Sequence, residues 1–131
     1  MPASYDVRAA LDYWSGVYRV DPHLVRAVAW WESGFNNSLV STAGAHGVMQ
    51  VTPATWSYAE MVLVGHRIPN TASGNVQVGV AFLAQLLREF RGDVRLALAG
   101  YVQGPLSVRR QGLFRETRHY VAGVLALRGR V

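Results

Sequence analysis

The sequence predicts an all-α fold, a compact orthogonal bundle of about six helices, on three observations. Apolar residues recur at the three-to-four spacing of helices, and period-two alternation is nearly absent. Half of the 131 residues are hydrophobic and 16% are charged, a balance that fills a core and leaves little for disordered tails. The predicted helices are short and loop-separated, which suits crossing helices better than a long up-and-down coil. Residues 1–131 read as one domain, long enough to bury a core without disulfide or metal staples.

A first helix begins near Ser4 or Asp6, with Val7, Leu11, Trp14 and Tyr18 on one stripe. Asp21-Pro22 opens a second that runs to about Ser33: Asp caps free amides, and Pro is tolerated at the first helical position. From Gly34 to about Gln50, Gly, Asn, Ser and Thr are too dense for regular structure, so an ordered loop is expected. Thr52-Pro53 repeats the cap-then-proline signal for a helix to about Val64, stopped by Gly65. After the loop His66–Ser73, Ser73 is expected to cap a longer helix with Val76, Val80, Leu83, Leu87 and Phe90 inward, ending at Gly92. Asp93 caps a helix to about Tyr101, and a last one runs from about Glu116 to Leu127 with Tyr120, Val124 and Leu127 inward.

Composition narrows the chemistry. With no cysteine, thiolate metal sites, disulfides and cysteine catalysis are excluded, while redox compartment stays open. His23, His46, His66 and His119 are dispersed without a His-x-x-x-His pair, so no metal site and no cofactor is expected. Ser33 lies in no Gly-x-Ser-x-Gly elbow, which leaves a serine hydrolase unsupported. The apolar runs fall short of a bilayer span, so no integral membrane segment is predicted. The N-terminal stretch lacks the basic and apolar regions of a signal peptide, so export would rely on a segment outside this sequence. Net charge is +5, and all 13 basic residues are Arg. Arg88, Arg91, Arg95, Arg109, Arg110, Arg115 and Arg118 make a basic surface in the second half plausible for a polyanion, although a GC-rich coding bias also explains the missing Lys. A helical nucleic-acid binder is a rival reading, but no helix-turn-helix pattern supports it, and no nucleic-acid partner is expected.

The stretch Ala29-Trp30-Trp31-Glu32-Ser33-Gly34-Phe35 carries the sharpest signal. Val25, Val28 and Glu32 fall at i, i+3 and i+7, so the carboxyl shares a face with two core valines. Burial, aromatic neighbours that displace water, and the negative carbonyl end of the helix all disfavour its ionised form. A carboxyl that keeps its proton near neutral pH is what a general acid requires. Gly34 turns the backbone away behind it. The plainer alternative has Glu32 reaching solvent from a helix end, with Trp30 and Trp31 as core aromatics.

Three segments in order, "ESGFNNSLVSTAGAHGVMQVTPATW", "NVQVGVAFLAQLLREFRGDVRLALAGY" and "RETRHYVAGVLAL", resemble the SLT-type lytic transglycosylases over Asp21 to Leu127. The resemblance implies a goose-type-lysozyme-like helical fold and cleavage of peptidoglycan glycan strands by an enzyme of the cell envelope or exterior, expected to act as a monomer. Position by position it implies Glu32 as the single catalytic acid and base, with Tyr101 beside it. It implies Ser41 near the substrate acetamido group, Gly47, Met49 and Gln50 along the sugar subsites, and Tyr120 flanking the cleft. One segment departs: Tyr101-Val102-Gln103-Gly104 stands where the family has Tyr-Asn-Ala-Gly, so the amide contact of that Asn is lost.

Glycosidases ordinarily use two carboxyls, roughly 5 Å apart or roughly 6.5–9.5 Å apart. Between Asp21 and Asp93 the only acids besides Glu32 are Glu60 and Glu89, and Glu116 is the one distant candidate, with capping the last helix as its plainer job. The resemblance implies a route that needs no second acid. Glu32 protonates the MurNAc–GlcNAc bridge oxygen, then takes a proton from the muramyl C6 hydroxyl, which closes a 1,6-anhydro ring. Trp56 and Tyr58 are candidate sugar surfaces, core packing being the alternative for Trp56. Two other classes compete: a hydrolytic muramidase on the same fold, and a non-catalytic glycan-binding module.

Overall fold

The computed structural model describes the backbone from Ser4 to Val131 and side chains from Asp6 onward, so the first three residues of the predicted domain lie outside the described residues. Among the described residues the chain forms seven α-helices and no named strand. They are α1 (Ser4–Tyr18), α2 (Pro22–Ser33), α3 (Pro53–Tyr58), α4 (Ala72–Glu89), α5 (Val94–Gln103), α6 (Pro105–Gln111) and α7 (Arg115–Leu127). The all-helical expectation is met. None of these helices is long and apolar enough to cross a membrane.

The capping chemistry explains most starts. Asp21 accepts the His23 amide at 2.9 Å ahead of Pro22, Thr52 accepts Thr55 at 3.3 Å ahead of Pro53, and Asp93 accepts Leu96 at 3.0 Å. One cap differs from expectation: Thr71, not Ser73, caps α4, accepting the Gly74 amide at 3.0 Å. The reason is a tight approach just before the helix. A Cβ on Gly74 would lie 1.8 Å from the Pro69 carbonyl oxygen, which fixes the chain reversal and puts Thr71 at the half-helical position. Ser73 instead accepts the Trp14 indole N–H at 3.0 Å, joining α1 to α4.

Two further departures concern helix extent. The expected helix from Pro53 to Val64 is α-helical only to Tyr58 and continues as a π-helical turn, Ala59–Val64. Glu60 in that turn accepts the Ile68 amide at 2.8 Å, tying the turn to the loop that follows. The short helix α6 was not expected at all, since no element was assigned between Tyr101 and Glu116. It uses the same punctuation as the others: Gly104, at φ 94°, ends α5, and Pro105 opens the next helix. Glu116 does not cap α7; Phe114 precedes the helix with no side-chain cap, and Glu116 stands in the first turn, where the helix dipole favours a negative charge.

Helix α4 is the central element, packed by α1, α5, α3 and the π-helical turn. Val76, Val80 and Leu83 are buried as expected, and Val78 and Leu86 bury a second side of it, while Leu87 and Phe90 are half-buried at its end. In α1, Val7 and Leu11 are buried, with Trp14 and Tyr18 packed half-buried beside them. Tyr120 and Val124 of α7 are buried and Leu127 is half-buried.

The pair that positions the site is α2 and α7. Arg128, just past α7, forks onto Asp21 at 3.1 and 2.8 Å from Nε and Nη2, and Tyr120, near the start of α7, reaches Glu32 at the end of α2. These two ties at opposite ends set the helices antiparallel and fix their register.

Candidate active site

Glu32 occupies the last turn of α2. Gly34 ends that helix in the left-handed conformation (φ 63°), returning its amide to the Trp30 carbonyl at 2.9 Å, and Phe35 follows at φ 67°. Two successive left-handed residues reverse the chain, so the loop 34–51 folds back across the end of α2. Phe35 is buried, meets Trp30 edge-on at 5.3 Å and carries the Arg8 guanidinium 4.8 Å above its ring. Trp30 and Trp31 are 44% and 38% exposed, so neither is a core aromatic. Trp31 lies edge-on to His119 at 5.6 Å and to Tyr120 at 6.3 Å. Its ring fits because α7 has Gly123 beneath it: a Cβ there would lie 2.1 Å from Trp31.

Glu32 is half-buried, and the desolvation of its carboxyl raises the pKa to about 7, against the lowering effect of the hydrogen bond from Tyr120. Tyr120 donates its hydroxyl to Glu32 Oε2 at 2.8 Å. That bond occupies Oε2 as an acceptor and leaves the carboxyl proton to Oε1. Burial and the Glu32 charge raise the Tyr101 and Tyr120 hydroxyls well above their usual pKa, so both stay neutral donors. The influence of Glu32 on Tyr101 places the two in one electrostatic neighbourhood, while the Tyr101 hydroxyl itself donates to the Met49 carbonyl at 2.8 Å.

The loop supplies the remaining residues singled out by the sequence. The Met49 side chain is fully buried against Gly79, where a Cβ would meet Sδ at 2.6 Å; the residue addresses the site through the carbonyl that Tyr101 holds. Gly47 is at φ 83°, and a Cβ there would lie 2.1 Å from Asn75 Nδ2. Gln50 adopts φ 50°, and its amide donates to the Leu39 and Gly47 carbonyls at 3.0 and 2.9 Å, bracing the loop from within. Together with Val51, Thr52, Thr55, Phe82 and Tyr101 it lines a narrow cavity of about 40 Å³. Ser41 closes the turn, accepting the Ala45 amide at 3.1 Å on its hydroxyl. The structure thus joins Glu32 directly to Tyr120, and links Tyr101, Met49, Gly47 and Gln50 through the loop backbone.

Several residues that the sequence reading missed organise this arrangement. Asn75, fully buried in α4, accepts the Met49 amide at 2.9 Å and donates to the His46 carbonyl at 2.9 Å. Ser33, next to Glu32, donates to the Val48 carbonyl at 2.7 Å, and Asn37 accepts the Val48 amide at 3.1 Å. A signal for Asn75 existed, an amide on the apolar face of "NVQVGVAFL", because a buried polar side chain demands partners. The departing segment also resolves: Gln103 accepts from Phe114 N at 3.1 Å and Thr117 Oγ1 at 2.6 Å, and donates to Ser107 Oγ and the Gly112 carbonyl, each at 2.9 Å. It braces α5, α6 and α7 and has no capacity left for a substrate.

Other carboxylates have occupations of their own: Asp12 pairs with Arg26, Asp21 with Arg128, and Glu89 with Arg109. Asp93 caps α5 and Glu60 closes the π-helical turn. A cavity of about 590 Å³ lies by Arg19, Arg88 and Arg91 where α1 and α4 end. These arginines complement helix C-termini, and no carboxyl lines the cavity, so acid chemistry is not located there.

This geometry has counterparts. The soluble lytic murein transglycosylase of Escherichia coli strain K12 is 28% identical over 121 residues, covering 76% of this chain and 19% of that protein. The transglycosylase of Enterobacteria phage PRD1 is 37% identical over 101 residues, covering 72% of this chain and 36% of its own length. The chain therefore spans about a third of the phage relative and about a fifth of the bacterial one. The solved structure of an inactive Glu-to-Gln mutant of lytic transglycosylase Slt from Pseudomonas aeruginosa superposes with a TM-score of 0.84 at 27% identity, over 92% of this chain and 23% of that one. The family model described as the transglycosylase SLT domain matches residues 10–120, and the chain belongs to that family.

Proposed function

We propose that residues 1–131 form one catalytic domain that cleaves the β-1,4 bond between N-acetylmuramic acid and N-acetylglucosamine in peptidoglycan, with Glu32 as its only acid and base. One observation carries the reading: a carboxyl with a pKa of about 7, desolvated and oriented by a tyrosine, on the α2–loop junction. The family and the lytic transglycosylases similar to this chain support the substrate class.

The chemistry follows from the proton's position. With Tyr120 on Oε2, the proton on Oε1 is the one available to a bridging glycosidic oxygen. Once it leaves, the Tyr120 hydrogen bond stabilises the new carboxylate, and burial keeps that carboxylate basic enough to recover a proton from the C6 hydroxyl of the same muramyl sugar. Closing the 1,6-anhydro ring consumes no water, so no second carboxylate is required. A pKa near the working pH lets one group donate and accept in turn. Tyr101, held by the Met49 carbonyl, fixes the opposite wall and presents its oxygen to the reacting sugar. Ser41, Gly47, Met49 and Gln50 shape the subsites chiefly through backbone they order. The domain acts as a monomer, outside the cytoplasm where peptidoglycan lies.

Clearing of purified peptidoglycan by the native chain and by Glu32→Gln tests the reading. Loss of clearing by the variant, with an unchanged circular-dichroism spectrum, is expected. Equal clearing by both would overturn the role of Glu32, and no clearing by the native chain would leave only a glycan-binding module.

A further inference from the structure

The loop that organises Glu32's surroundings has a second side. His46 and Trp56 face each other with ring centroids 5.4 Å apart and planes tilted 31°. With Pro53, Ser57 and Asn70 they line a cavity of about 290 Å³, to which Glu32, Tyr101 and Tyr120 contribute nothing. Helix α3 divides the two regions: Thr52 and Thr55 line the narrow cavity beside Tyr101, and Pro53, Trp56 and Ser57 line this one.

The aromatic pair is pre-ordered. The His46 backbone exchanges two hydrogen bonds with Val51, at 3.0 and 2.9 Å, and its carbonyl also accepts from Asn75 at 2.9 Å. Trp56 is half-buried with its ring packed against the core. A ligand stacking there would immobilise little that is not already fixed, which lowers the entropic cost of binding. The volume is near the lower end of ligand pockets, roughly 300–1,000 Å³, and suits a single ring. No Arg, Asp or Glu lines the cavity, which argues against a charged ligand. Ser57 and Asn70 are exposed, and their side chains and the Trp56 indole N–H have no intramolecular hydrogen-bond partner among the described residues. A purely apolar ligand would waste these groups. A pyranose matches them, because its C–H face covers an indole while hydroxyl and acetamido groups at its edge both donate and accept.

We infer that this cavity is a second saccharide site, taking one N-acetylated sugar ring of a glycan on Trp56, with Asn70 and Ser57 reading its polar edge. That the ring belongs to a peptidoglycan strand also engaged at Glu32 rests on the function proposed above.

The test is a titration of 15N-labelled Glu32→Gln protein with the β-1,4-linked tetramer of N-acetylglucosamine, followed by NMR at the Trp56 indole N–H and the Asn70 side-chain amide. Both signals are expected to shift saturably. Asn70→Ala, a change on an exposed loop, is expected to weaken the transition at Trp56 about fivefold, the worth of one hydrogen bond, and Trp56→Ala to abolish it. Shifts confined to residues around Glu32, Tyr101 and Tyr120 would overturn the second site and leave the proposed function standing. Saturable shifts at Trp56, with no clearing by the native chain, would sustain the site and sink the function. An absence of any shift would overturn the site.

Discussion

Glu32 costs the fold something that its chemistry uses. Its folded pKa of about 7 lies above the 4.5 of an ordinary glutamate, so its stabilising contribution is fully present below about pH 4.5 and is lost as pH rises through about 7. The separation corresponds to at most about 3–4 kcal/mol. Glu32→Gln, which cannot ionise, should therefore match the native chain in melting temperature at pH 4 and exceed it at pH 8; equal melting at both values would show that the carboxyl is not desolvated. The same pKa sets activity. Log kcat/KM should be level below pH 7 and fall with unit slope above it, as the acid form is depleted. Tyr120→Phe removes the hydrogen bond that lowers the Glu32 pKa, so the falling limb should move to higher pH while kcat drops roughly 10- to 100-fold. A limb that stays in place or moves down would contradict the tyrosine's assigned effect.

At the level of elements, two packed positions hold the site. Gly123→Ala gains up to about 1 kcal/mol of helix propensity but drives a methyl into the Trp31 ring, which is 38% exposed and free to swing outward. Stability should change little, and kcat/KM should fall about tenfold because Tyr120 loses the edge of Trp31. Unchanged kinetics would mean that Trp31 does not support Tyr120. Asn75→Ala orphans the buried Met49 amide, at a cost on the order of 1–3 kcal/mol, and leaves the His46 carbonyl with the Val51 amide alone. Faster hydrogen exchange across residues 46–51 and a lower melting temperature are expected; protection equal to the native chain would show that water replaces the amide. Elements of this kind were partly legible. Asp21-Pro22, Thr52-Pro53 and Asp93 announced their helices because a cap and a proline act locally. Thr71 over Ser73 was not legible, because the choice depends on how closely Gly74 approaches Pro69, and the π-helical turn depends on Glu60 reaching Ile68 across the loop.

At the scale of the whole molecule, periodicity is enough for the all-helical class, whereas "AWWESGF" only raises Glu32 as a candidate, through helical spacing that puts it on a valine face; the three-segment resemblance is what singles it out. What brings Tyr120 to Glu32, 88 positions away, is the antiparallel packing of α2 and α7, which no local pattern encodes. Met49 and Gln50 drew attention through resemblance, and their physical work, a buried thioether and a loop-bracing amide, emerges only from tertiary contacts. The central claim is that Glu32 both gives and recovers the proton, with the sugar closing on itself. Mass spectrometry of muropeptides released from purified peptidoglycan in 18O-labelled water tests this most directly. The account predicts products lighter by one water than reducing muropeptides and free of the label. Reducing ends carrying 18O would contradict it and make the enzyme a hydrolase.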